Sequence, residues 1–131
     1  MQRIYDFIKK CGGTYYLATI DGDQPRVRPF GTLEFIDGKL CMLTAKSKPV
    51  SKQIHDNPKV ELCASQGGSW IRVQAFAVED PRVESQEKML DLYPDLKAFY
   101  QPGDGNVEIL KLESGVAVIS STSEAPVTIR F

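Results

Sequence analysis

Apolar residues recur at Ile4, Phe7, Ile8 and Cys11, the i, i+3, i+4, i+7 spacing of one helical face. Gly12-Gly13 ends that pattern. The next run, Thr14 to Ile20, is rich in β-branched and aromatic residues and leads into the turn signal Asp21-Gly22-Asp23. A second strand is predicted from about Pro25 to Ile36. Asp37-Gly38 then joins it to Lys39–Thr44 as a hairpin. Pro29 lies inside this second strand and cannot donate to a ladder. It marks a sheet edge, a bulge, or a place where the ladder gives way to a ligand.

Between about Lys48 and Asp56 the period lengthens, with Val50 and Ile54 four residues apart. A short helix is expected, with Ser47 as N-cap, Pro49 in its first turn and Asn57-Pro58 as its stop. Strands follow at Lys59–Ala64 and Trp70–Glu79, joined by the turn Gln66–Ser69. A helix over Glu84–Tyr93 puts Met89, Leu90 and Tyr93 on one side. Pro94 interrupts it before Leu96–Tyr100, and Gln101–Asn106 is loop. Strands at Val107–Leu112, Val116–Ser121 and Val127–Phe131 complete a meander, the raw material of a barrel. No repeat, low-complexity tract or linker breaks the chain, so residues 1–131 are expected to form a single domain.

Composition narrows the function classes. At 131 residues, 42% of them hydrophobic and 25% charged, the chain can bury a core without disulfide or metal staples. A net charge of −1 argues against a protein that works by neutralising a nucleic-acid backbone. The charge is uneven, however: Lys46, Lys48, Lys52 and Lys59 fall close together, and acids dominate from Glu79 to Asp95. That asymmetry suits a small phosphate site. Three widely spaced cysteines, Cys11, Cys41 and Cys63, form neither a disulfide framework nor a zinc motif. With no basic leader and no run long enough for a membrane helix, the expected location is the cytoplasm, with no membrane partner.

The lysine-rich stretch has two readings. The start of a short helix offers free N–H groups and a favourable dipole to an anion, here beside Thr44, Ser47, Lys46, Lys48 and Lys52. Equally, Ser47 could cap the helix while the lysines solvate it. Arg26 and Arg28 alternate onto one face of their strand, where they could grip an anion or pair with acids such as Glu34 or Glu61. Trp70, the single tryptophan, either covers a barrel end or walls a ligand pocket. His55, the single histidine, reads as a helix-end residue. No nucleophile, base and orienting group assemble from this sequence, so no catalytic residue and no metal ligand are assigned.

The run Arg26-Val27-Arg28-Pro29-Phe30-Gly31, followed by Leu43-Thr44-Ala45-Lys46-Ser47-Lys48-Pro49 and Lys52-Gln53-Ile54-His55-Asp56-Asn57-Pro58, resembles the small flavin-binding split barrels related to pyridoxamine 5′-phosphate oxidase. The resemblance implies a mainly β fold: a six- to seven-stranded antiparallel split β-barrel with flanking α-helices. It also implies a homodimer with FMN between the subunits. Arg28, Thr44, Ser47, Lys48 and Lys52 would then serve the flavin phosphate, Pro29 and Phe30 would lie against the ring, and Trp70 would form a wall supplied across the dimer. The implied activity is an FMN-dependent oxidoreductase, reduced by a nicotinamide donor and reoxidised by a small-molecule acceptor. The alternative is a non-catalytic, stress-related carrier of flavin or a related ligand. A flavin carries electrons itself, which suits a chain without an acid–base set. Three departures stand out, the first being that Lys46-Ser47-Lys48-Pro49 replaces the Ser-Arg-Lys phosphate run of the classical oxidases, so that run's arginine is missing. Pyridoxamine-phosphate oxidases end in an Arg-, His- and Trp-rich segment that grips substrate, whereas this sequence closes on Glu124-Ala125-Pro126-Val127-Thr128-Ile129-Arg130-Phe131, so vitamin B6 oxidation is not implied. A glycine common in the strand after the tryptophan aligns with Ala75.

Overall fold

The computed structural model describes residues 1–131 as three α-helices and eight strands. They follow the order α1 (Gln2–Lys10), β1 (Tyr15–Asp21), β2 (Gln24–Phe30), β3 (Glu34–Ile36), β4 (Lys39–Ala45), α2 (Pro49–Asp56), β5 (Lys59–Gln66), β6 (Ser69–Asp80), α3 (Val83–Leu92), a 3₁₀ turn (Pro94–Ala98), β7 (Val107–Ser121) and β8 (Val127–Arg130). All pairings are antiparallel, in the order β2-β1-β5-β6-β7-β4-β3, with β8 on β7. β2 and β3 end that order, and β8, paired with β7 alone, is a further edge strand. The fold is therefore the expected split barrel with flanking helices. Its strand count is eight, because β3 and β8 are short pieces that add to the main meander.

Two expected boundaries move, each for a local reason. The single strand predicted from Pro25 to Ile36 is two strands on opposite edges of the sheet, and Gly31–Leu33 carries the chain across the split. That crossing is held by side chains. The buried Tyr15 hydroxyl donates to the Thr32 carbonyl at 2.7 Å, the Leu43 N–H donates to Thr32 Oγ1 at 2.9 Å, and the Leu33 N–H donates to Tyr93 Oη at 3.0 Å. Conversely, the two strands predicted on either side of Ser114-Gly115 are one long strand, β7. Its register against β6 shifts between Gln74 and Phe76, and Ser114 takes a positive φ of 52°. Ala75 thus faces a two-residue bulge. The hairpin at Asp37-Gly38 forms as expected, both residues having positive φ.

Side-chain alternation divides the core in two. Leu40 and Met42 of β4 and Leu110 and Leu112 of β7 point into the barrel, where they join Leu17, Leu62, Ile71 and Val73 under α1 and α2. Cys41, Leu43, Val107 and Ile109 point outward and are covered by Met89 and Leu90 of α3. β4 is buried on both faces, which is why it reads as a continuous apolar run. Burial pushes the Cys41 thiol up to about 11, as expected of a structural cysteine.

Asp80 and Arg82 fix α3 to the β3–β4 hairpin. Arg82 donates to Asp80 at 2.9 and 2.8 Å and reaches Asp37 at 2.8 Å, while Ser85 Oγ donates to Asp80 at 2.6 Å. The Arg82 hydrogen bonds, aided by Ser85, hold the Asp80 carboxyl well below the usual carboxylate range. A carboxyl whose folded pKa is depressed gives stability above its unfolded value, near pH 4, and loses it as pH falls through the folded value. Asp80→Asn is accordingly expected to lower the urea midpoint at neutral pH. It should also flatten the decline of that midpoint between about pH 4 and pH 2.

Candidate functional site

A groove of about 490 Å³ runs along β2 to the start of α2, between Arg26, Arg28 and Phe30 on one side and Lys48, Pro49 and Gln53 on the other. It continues through Pro29, Phe30 and Lys48 into a recess of about 150 Å³ that reaches Thr32, Thr44, Leu96 and Tyr100. The groove therefore follows the open seam of the barrel. Pro29 lies on edge strand β2, where its missing N–H leaves no central ladder broken.

Arg28 is held from three directions. Its Nη1 donates to Thr19 Oγ1 at 2.7 Å and to the Leu17 carbonyl at 3.2 Å, and its Nη2 donates to Gln53 Oε1 at 2.7 Å. Thr19 Oγ1 donates in turn to Gln53 Oε1 at 2.6 Å. Burial, together with the nearby Arg26, lowers the Arg28 pKa without removing its charge at neutral pH. The arginine is oriented for the groove by neutral groups and meets no carboxylate. Arg26, by contrast, is exposed and pairs with Asp21 at 3.2 Å.

Two expected groups stand free at the groove. The Thr44 hydroxyl is buried and has no hydrogen-bond partner in the protein, an unusual state for a buried polar atom. Lys48 is exposed at the mouth and forms no salt bridge or side-chain hydrogen bond with the protein. Other expected residues are placed elsewhere. Lys52 points to solvent and bonds Asp56 at 2.7 Å, and Lys46 pairs with Glu79 at 3.1 Å. The N-cap position of α2 is Lys48, not Ser47, and carries no side-chain cap. Ser47 instead accepts an anchor through its backbone: its N–H donates to Asn106 Oδ1 at 3.0 Å. Trp70, the second residue of β6, lies opposite Ser65 and Ser120 and does not line the groove of its own chain. Ala75 lines a different cavity, about 410 Å³, on the β1, β5 and β6 side.

The sequence reading missed Gln53 and Thr19. Gln53 carried a signal: it lies three residues after Val50 and beside Ile54, on the inward face of α2, whereas Lys52 does not. It also missed the polar end of the barrel, where Glu108 is fully buried opposite Thr44. Ser51 Oγ donates to Glu108 Oε1 at 2.8 Å and His55 Nε2 lies 2.5 Å from Glu108 Oε2. The carboxylate sits between hydroxyl and imidazole, so His55 does not reach Ser51 and the three do not form a nucleophile–base–acid chain.

A NimC/NimA family protein from Clostridium acetobutylicum is 38% identical in sequence and superposes with a TM-score of 0.95, covering 100% of this chain and 92% of that one. The chain belongs to the NimC/NimA family. This member also resembles a protein related to general stress protein 26, of the pyridoxinephosphate oxidase family, from Clostridium acetobutylicum. That match has 12% identity and a TM-score of 0.71, over 98% of this chain and 93% of the other. A heme binding protein from Mycobacterium smegmatis shares the fold at 12% identity and a TM-score of 0.70, covering 94% of this chain and 55% of that one. The structural relationship to pyridoxamine 5′-phosphate oxidase-like proteins is thus the one the motifs resembled. No family model and no curated protein matches the sequence. No helix is long and apolar enough to cross a membrane.

Proposed function

We propose that this NimC/NimA family member binds FMN in the β2–α2 groove and acts as an oxidoreductase reduced by a nicotinamide donor. The observation that carries the reading is the unpaired, buried Thr44 hydroxyl at the recess, next to the unpartnered Lys48 ammonium. A buried hydroxyl without a partner costs stability, and an acceptor from a ligand removes that cost. Lys48 and Thr44 would hold the phosphate, with Arg28, fixed by Gln53 and Thr19, adding charge. Pro29 and Phe30 would lie against the ring, and Leu96 and Tyr100 would exclude water. FMN, when bound, supplies the hydride and electron transfer; the protein supplies orientation and electrostatics. A homodimer that places a partner surface over the open seam would complete the enclosure, since a groove this open leaves much of a tricyclic ring in water.

The test is an absorption spectrum of purified protein after addition of FMN and removal of the excess by gel filtration, followed by anaerobic addition of reduced nicotinamide. Stoichiometric flavin that bleaches with donor and recovers with an acceptor supports the oxidoreductase. Flavin that is retained but never reduced makes the protein a carrier, and no retained flavin overturns the reading.

A further inference from the structure

We propose that His55, Glu79 and Glu108 form a binding site for one divalent transition-metal ion of the zinc type, separate from the β2–α2 groove. The three residues come from the end of α2, the end of β6 and the start of β7, and one ligand atom from each lies within 4.8 Å of the others. His55 Nε2 is 2.5 Å from Glu108 Oε2 and 3.7 Å from Glu79 Oε1. A tetrahedral ion with bonds of about 2.1 Å sets its ligands about 3.4 Å apart, so binding requires the His55–Glu108 contact to open by roughly 1 Å. The imidazole is half-exposed and has no polar partner outside this cluster, which leaves it free to make that adjustment.

Charge is the second, independent reason. Glu108 is 0% exposed, and only the Ser51 hydroxyl and the His55 imidazole hydrogen-bond its carboxylate. A buried carboxylate without a fixed positive partner is costly. Lys46 bonds Glu79 at 3.1 Å and makes no bond to Glu108. A dication between the two carboxylates would neutralise both. Ser51 then orients the ligating carboxylate through its other oxygen, the arrangement common around protein-bound metals. One imidazole with two carboxylates and an open, solvent-facing position favours zinc, manganese or iron(II) over magnesium or calcium, which take all-oxygen sets.

The test is isothermal titration of metal-free protein with Zn(II), repeated on His55→Ala, Glu79→Gln and Lys46→Met and on a Cys11→Ser/Cys63→Ser control. One zinc per chain is expected. His55→Ala and Glu79→Gln should weaken it at least about tenfold, as loss of one of three ligands does. Lys46→Met should tighten it by removing the ammonium that competes for Glu79, and the cysteine variant should leave it unchanged. Co(II) substituted for zinc should show d–d absorption without a thiolate charge-transfer band. No zinc uptake, uptake undiminished in His55→Ala, or uptake lost in the cysteine variant overturns the proposal. Each outcome is read without flavin, so it stands or falls apart from the FMN reading.

Discussion

Lys48→Glu is expected to weaken FMN by about 10- to 100-fold, the worth of one or two charge-assisted hydrogen bonds, and riboflavin by no more than about twofold. The two ligands differ only in the phosphate, so their comparison isolates the phosphate contact from ring stacking and from any disturbance of the groove. Lys48 suits this role because nothing in the protein competes for its ammonium, and it borders both the groove and the recess that holds Thr44. Lys52→Glu is the matched control. Its side chain is 80% exposed and already paired with Asp56, so its field at the groove is screened, and both flavins should bind within about threefold of the unmodified protein. Fluorescence titration of the unmodified protein and both variants with each flavin measures the six affinities. Equal losses of FMN and riboflavin in Lys48→Glu, or a larger FMN loss in Lys52→Glu, would move the phosphate away from the start of α2.

Leu17→Ala should destabilise the protein by about 2–5 kcal/mol, the range for deleting a buried leucine side chain without collapse of the surrounding core. Leu17 is fully buried at the middle of β1, paired with Arg28 of β2 and Leu62 of β5. The cavity would open where strands meet on both sides, so few neighbours can move in to fill it. Its carbonyl also accepts from Arg28, so the variant links the core to the groove. Urea unfolding followed by tryptophan fluorescence gives the magnitude. A loss below about 1 kcal/mol would mean that this part of the barrel repacks freely.

The sequence disclosed the parts of this molecule that depend on short-range chemistry. The α1 stripe, the Asp37-Gly38 hairpin and the apolar run of β4 all appear where their patterns place them. What it concealed depends on contacts made across the barrel. Gly31–Leu33 looks like the interior of a strand because it lies between strand-like runs with no Asp-Gly or Pro-Gly turn pair to separate them. The strand pairings, with the bonds from Tyr15 and Leu43 to Thr32, show that the chain leaves one edge for the other there. The same limit applies to the groove. Counting basic residues favoured Lys52 and Lys48 equally, yet the rotation of α2, set by Val50 and Ile54, turns Gln53 inward and Lys52 out. The acid at Glu108 was invisible for a related reason: its neighbours Ser51 and His55 lie more than fifty residues earlier.

The anchoring of the lysine loop to Asn106 bears on how the protein is made. Lys46 donates its backbone N–H to the Asn106 carbonyl at 2.7 Å, Ser47 donates to the Asn106 side chain, and Thr44 pairs with Glu108. All three contacts use residues synthesised some sixty positions after the loop they hold. A nascent chain that has completed α2 therefore already carries the partners that hold Arg28, but lacks the anchor for Lys46 and Ser47. The lysine loop is set only when β7 has emerged and closed against β4, which makes that side of the groove one of the last features of the molecule to be completed during translation.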